Sequence, residues 1–174
     1  MKTRWVDRTF QFTTPVEQFP TVLERLRGTP ARLEEKLRSL STSVLTRRDG
    51  EAWSMQEHVG HLLDLDELHL GRLDDYAAGA GTLRAADTQN RKTHEAEHNR
   101  REAKHLLQDF RRERRRFVER LESLSPDELQ RSAIHPRLRQ PMRVVDMAWF
   151  VAEHDDHHLA RMTELQRMFE APAP

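Results

Sequence analysis

Two histidines four residues apart, His154 and His158, interrupt an otherwise apolar stripe in which Met147, Val151, Met162, Leu165 and Phe169 recur at helical spacing. Residues i and i+4 of a helix lie about 40° apart around the axis and about 6 Å along it, so both imidazoles point the same way. A buried imidazole without a partner costs roughly 1–3 kcal/mol. Two in succession on a core stripe therefore need an explanation, either hydrogen bonds or a shared metal ion. His157 lies about 100° round from His158 and is expected at the surface or at the rim of the site. Asp155 and Asp156 are expected to be exposed, although either can accept a hydrogen bond from a ligand's outer ring nitrogen.

The 174-residue chain has no cysteine, so any metal must sit on imidazole and carboxylate. A third ligand is sought in WSMQEHVGHLLDLDELHLGRL, residues 53–73. Ser54-Met55-Gln56-Glu57 reads as a capping box that starts a helix. His58, His61, Leu65, Leu68 and Arg72 then share one face, and Met55, Val59, Leu62, Asp66 and Leu73 share its neighbour. His61 has leucines beside it and one turn on, so it is the more buried candidate. His58 reads as a supporting or surface residue, and His69 as a surface residue. Three neutral imidazoles with an open fourth position hold a water that the cation can acidify, the pattern of a reactive site. A fourth ligand from Asp66 or a loop histidine would close the site and make it structural. Ligand type alone leaves Zn, Ni, Fe, Mn and Co open.

A rival pattern, His94-Glu95-Ala96-Glu97-His98, matches the H-E-x-x-H motif of zinc peptidases letter for letter. Glu97 inside it and the charged residues after it argue against the buried helix such enzymes use. Projected back from Phe110, His98 lies about 120° and His94 about 160° from the apolar stripe. The motif reads as a solvated helix start. His94, Glu97, His98 and Asn99 are kept as candidates to line a pocket, the last three as proton shuttle or substrate contact.

The elements that must carry these residues are helices. Thr29-Pro30 reads as an N-cap and first-turn proline opening ARLEEKLRSL, after a shorter helical segment from Pro20 that breaks at Gly28. A second helix runs from the capping box to about Ala78, stopped by Gly79 and Gly81. A polar loop follows over 79–93. A third helix covers about 95–123 on Ala103, Leu106, Phe110, Phe117, Leu121 and Leu124, and Ser125-Pro126-Asp127-Glu128 opens a short extra turn. HPRLRQP reads as a proline-bounded loop, and the fourth helix runs from about Met142 to Phe169. Only RTFQF hints at a strand. The expected fold is an all-α four-helix bundle with unequal connections, a single domain over 1–174 with an N-terminal extension (1–15) and a frayed tail (170–174).

Lysine plus arginine and aspartate plus glutamate each number 29, which gives no argument for nucleic acid or an anionic membrane. The run RRERRRFVER (111–120) is broken by Glu113 and Glu119 and is expected to be a solvated face or dimer edge. Trp53 and Trp149 read as packing residues, and Trp5 as packing or a dimer contact. MKTRWVDRTFQF lacks the apolar stretch of a signal peptide and no run approaches a membrane span, so a cytoplasmic location is expected.

The pattern W-S-M-Q-E-H-V-G-H-L (53–62), a tryptophan with a histidine eight residues later, resembles the first signature of the DinB/YfiT-like family. A-E-H-D-D-H-H-L-A-R-M (152–162) is similar to its C-terminal H-x-x-x-H signature. The resemblance covers nearly the whole chain, including ERLRGTPARLEEKL and HPRLRQPM. It implies a four-helix bundle of the DinB type, frequently a homodimer, with a three-histidine divalent metal site at one end. Carried over position by position, the ligands are His61, His154 and His158, with Zn, Ni, Fe or Mn as the metal. It further implies transferase or isomerase chemistry with a low-molecular-weight thiol such as bacillithiol, mycothiol or glutathione. Read with the residues, that means thiol transfer, isomerisation or hydrolysis on a small electrophile. The alternative is a non-catalytic, dimeric stress-response module in which the metal staples two helices.

Overall fold

The computed structural model describes residues 4–170. In chain order its elements are α1 (Phe19–Leu37), α2 (Thr42–Leu45), α3 (Met55–Ala77), α4 (Arg91–Glu95), α5 (Ala103–Glu122), α6 (Pro126–Leu129), β1 (Ser132–His135), β2 (Gln140–Arg143) and α7 (Val144–Glu170). The four long helices form the bundle. Helix α1 packs against α5 and α7, and α3 packs against the same two, so α1 and α3 face each other across the diagonal. Their apolar faces build two clusters of core side chains, one around Leu26, Phe117, Leu121 and Met147, the other around Leu33, Met55, Phe110 and Leu165. Among the described residues, no helix is long and apolar enough to cross a membrane.

Helix α1 corrects the expected break at Gly28, because it runs unbroken through Thr29 and Pro30. A proline inside a helix removes one backbone hydrogen bond and costs about 3 kcal/mol. One continuous buried face of Leu23, Leu26, Leu33 and Leu37 offsets that cost. Side chains also cover the backbone near the proline: Arg32 Nη2 donates to the Arg25 carbonyl at 3.1 Å.

The capping box of α3 is complete, with Glu57 N donating to Ser54 Oγ (3.1 Å) and Ser54 N to Glu57 Oε2 (2.9 Å). The third long helix starts at Ala103 rather than near 95. Asn90 and Glu97 both adopt left-handed backbone, at φ 53° and 47°, and the chain turns at each. The expected loop HPRLRQP is the turn of an antiparallel hairpin pairing Ser132 with Arg143 and His135 with Gln140. SAIH and QPMR do not alternate strictly between apolar and polar residues, so a period of two does not announce them. RTFQF forms no strand; it is an irregular segment that buries Phe10 against Trp5 and Phe150. Asp146, in the first turn of α7, accepts from Thr14 N (2.9 Å) and Arg143 N (3.1 Å) and ties this segment to the bundle. Of the expected tail, residues 171–174 lie outside the described residues.

Candidate metal centre and its cavity

Helix α3 supplies His61 and α7 supplies His154 and His158, one turn apart on the face that meets α3. All three are buried, and each offers a ring nitrogen such that the three nitrogens lie within 4.8 Å of one another. His154 Nε2 and His158 Nε2 face each other at 3.0 Å. Burial pushes His61 down to about 4, and His154 and His158 well below the ordinary histidine value, with the neighbouring imidazoles adding to the effect at His154 and His158. All three are thereby held neutral, the form that donates a lone pair. The donor set fits a divalent cation, since three neutral nitrogens converge and the cluster brings no negative charge of its own.

The outer ring nitrogens are held as well. A carboxylate only accepts, so Thr93 Oγ1 must donate to Asp64 Oδ2 (2.9 Å). The Thr93 oxygen is then left to accept from His61 Nδ1 (3.2 Å), which places the proton on Nδ1 and frees Nε2. His98 Nε2 bonds the same Asp64 oxygen at 2.9 Å. Its imidazole lies flat on α3 because residue 60 is glycine: a Cβ there would sit 2.1 Å from His98 Cδ2. On the other side, His58 Nδ1 meets His158 Nδ1 at 2.7 Å. His154 Nδ1 is buried without a hydrogen-bond partner among the described residues.

Several expectations change here. His69 is buried, not at the surface, and its ring packs near Phe117. Asp155 is fully buried rather than exposed, because Arg114 and Thr29 Oγ1 (2.8 Å) hold it. Asp66 is no fourth ligand, since Arg114 Nη2 donates to its Oδ1 at 3.0 Å. Arg114, read as part of a solvated run, is thus the buried centre of an Asp66–Arg114–Asp155 triad crossing the middle of the bundle. Burial raises Asp66 to about 6 against the opposing pull of Arg114. Trp53 packs, as expected, and does so against the histidines: its ring lies 4.6 Å from His61 and 5.7 Å from His94. Trp5 packs 4.9 Å from His154.

The HEAEH pattern does not form one helix. His94 lies in α4, which ends at Glu95, and the left-handed Glu97 turns the chain before His98. The two imidazoles therefore lack the i,i+4 geometry of a peptidase site. Glu97 is exposed and paired with Arg100, His98 is buried behind Asp64, and Asn99 accepts from Ser54 Oγ at 2.7 Å. None of the three lines the cavity beside the histidines.

That cavity is about 730 Å³ and opens on the three-histidine cluster. His61, His154 and His158 form part of its wall, with Trp53, Leu65 and Phe150. His157, half-buried, lies on it too, as its rim placement predicts.

Residues 25–162 match the DinB superfamily. The chain belongs to the DinB superfamily. Its fold is similar to that of YfiT from Bacillus subtilis, described as a probable metal-dependent hydrolase with an unusual four-helix bundle topology. The two share 20% identity with a TM-score of 0.78, over 95% of each chain. No curated protein matches the chain significantly. The sequence resemblance to the DinB/YfiT-like family and the four-helix bundle it implied both hold.

Proposed function

We propose that the chain is a metal-dependent hydrolase, with His61, His154 and His158 as the ligands of one divalent cation. The observation that carries this is the cavity of about 730 Å³ over the open side of a three-nitrogen cluster. A structural site closes on a fourth protein ligand, whereas a reactive one keeps room for substrate. A bound divalent cation supplies Lewis acidity, lowering the pKa of a water or thiol that enters beside it. The remaining work falls to the chain: Thr93 and Asp64 hold the His61 proton on Nδ1, His58 fixes the His158 ring, and Trp53 and Trp5 keep bulk water from the cluster. The description of the similar Bacillus protein as a probable metal-dependent hydrolase supports the same reaction class.

A second reading is thiol transfer to a small electrophile, with bacillithiol, mycothiol or glutathione as cosubstrate. The cavity has room for it, since about 730 Å³ lies within the roughly 300–1,000 Å³ of small-molecule sites and can seat a thiol beside an electrophile. A homodimer belongs to the same proposal on the strength of the family resemblance; sedimentation velocity reads it as twice the chain mass.

Metal analysis of the wild type and of His61→Ala, His158→Ala and His94→Ala tests the site. The wild type and His94→Ala should carry about one divalent ion per chain, and the other two should be empty. Loaded protein is then assayed with p-nitrophenyl acetate, and with bimane reagents plus each thiol. Ester hydrolysis alone selects the first reading and thiol conjugation the second. Neither activity from a metal-loaded protein leaves the non-catalytic stress-response module.

A further inference from the structure

Three turns along α3 from His61, at the other end of the same helix face, Arg72 also lines the cavity. Eleven residues of helix separate the two, about 16 Å along the axis. Arg72 is 2% exposed. Its Nε donates to the Arg84 carbonyl at 3.2 Å, while its Nη2 is buried with no hydrogen-bond partner. No carboxylate pairs with it among the described residues. This separates it from Arg114, the other deeply buried arginine, which has Asp66 and Asp155. Leaving a buried guanidinium without an anion costs several kcal/mol, so an unpaired one on a cavity wall is a place where an anion belongs.

The surroundings agree. Of the other arginines lining the cavity, Arg4 already pairs with Asp7, and Arg161 with Asp49 and Glu164, which leaves Arg137; the single lining acid, Asp87, is bonded to the backbone and side chain of Arg91. Arg137 spends one nitrogen on the Val6 carbonyl (3.1 Å) and has no carboxylate among the described residues. His69 adds a buried Nδ1 without a partner. Between these polar groups and the histidine cluster the wall is apolar, with Leu65, Leu68 and Phe150.

We propose that Arg72 is a specificity residue that binds the carboxylate of an elongated substrate whose other end reaches the three-histidine cluster. The planar fork of one guanidinium matches a planar monoanion, and the short apolar wall matches the chain that joins the two ends. This deepens the functional reading above and rests on the cavity being the substrate's seat. It makes no use of the metal.

The test is therefore a binding experiment on metal-free, full-length protein. Octanoate, octanol and octyl phosphate are titrated calorimetrically, with the tryptophans Trp5 and Trp53 on the cavity wall as a second readout. The wild type should bind octanoate about ten-fold or more tighter than octanol, and tighter than octyl phosphate. Arg72→Met should bind octanoate and octanol alike. Equal affinities in the wild type, a preference for the phosphate, or an undiminished preference in Arg72→Met would each overturn the proposal. If Arg72→Met does not fold, Arg72→Lys replaces it; the charge stays but the fork goes, and the preference should fall about three-fold or more. An unchanged preference there also overturns it. Loss of hydrolysis or metal binding in the histidine variants bears on the functional reading alone, so the two ideas fail separately.

Discussion

His58 Nδ1 and His158 Nδ1 lie 2.7 Å apart, so one of them carries the proton between them. If His158 gives its Nε2 lone pair to a cation, its proton sits on Nδ1 and His58 is the acceptor. Burial pushes His58 down to about 3, which keeps that acceptor neutral in ordinary buffers. His58→Ala should therefore weaken metal affinity about 10- to 100-fold without emptying the site at saturating metal. Competition against a chelating dye measures this. A variant as empty as His61→Ala would make His58 a ligand instead.

Gly60→Ala should displace His98, because the added Cβ falls 2.1 Å from its ring against a rigid helix. Asp64 then loses one of its two donors, and the 91–100 segment loses its seat beside His61. A loss of about 1–3 kcal/mol in urea denaturation is expected from overpacking. Faster hydrogen exchange confined to 91–100 would locate the damage, and unchanged exchange there would refute the seat.

Arg114→Met leaves Asp66 and Asp155 buried without their cation. Stability should fall by about 3–5 kcal/mol. Replacing all three members with apolar residues should recover most of it, since the pair of orphaned carboxylates goes too. Denaturant midpoints compare the two variants. An Arg114→Met protein as stable as the wild type would show that the triad contributes nothing.

His135 gives the metal-free protein a pH dependence. Its Nδ1 accepts from Leu138 N at 3.2 Å, and burial pushes it from 6.5 to about 4. Between those values the unfolded chain binds more protons than the folded one, so stability rises with pH. The contribution is complete above 6.5 and is lost as the pH falls towards 4. His135→Gln keeps an acceptor but cannot titrate. Its denaturation midpoint should change less than the wild type's between about pH 7.5 and pH 5. An identical change in both proteins would exclude this residue as a source.

How much was legible depended on whether a signal was local. The helix face His58, His61, Leu65, Leu68 and Arg72 was plain in the sequence, and it is the cavity wall. The i,i+4 pair His154 and His158 stood on a core stripe, which is where it lies. Arg114 sits between Phe110 and Phe117 at core spacing, but the charged run around it masks that register. Asp64 and Thr93 gave no signal, since they meet only when 91–100 folds back over α3. The left-handed backbone at Glu97 was equally silent, glutamate being an unusual residue there, and it decides the fate of HEAEH.

The order of helices around the bundle carries a kinetic consequence. Of the three consecutive pairs of long helices, only α3 and α5 are neighbours; α1 must wait for α5, and α7 must close back on α1 and α3. Contacts that join distant stretches of chain form after the loops between them have been closed. His61 and its Thr93–Asp64 support belong to the early, local part, while His154 and His158 arrive with the last helix. Capture of a cation by all three nitrogens would then be a clock for the final step of folding, ticking only in chains that have finished.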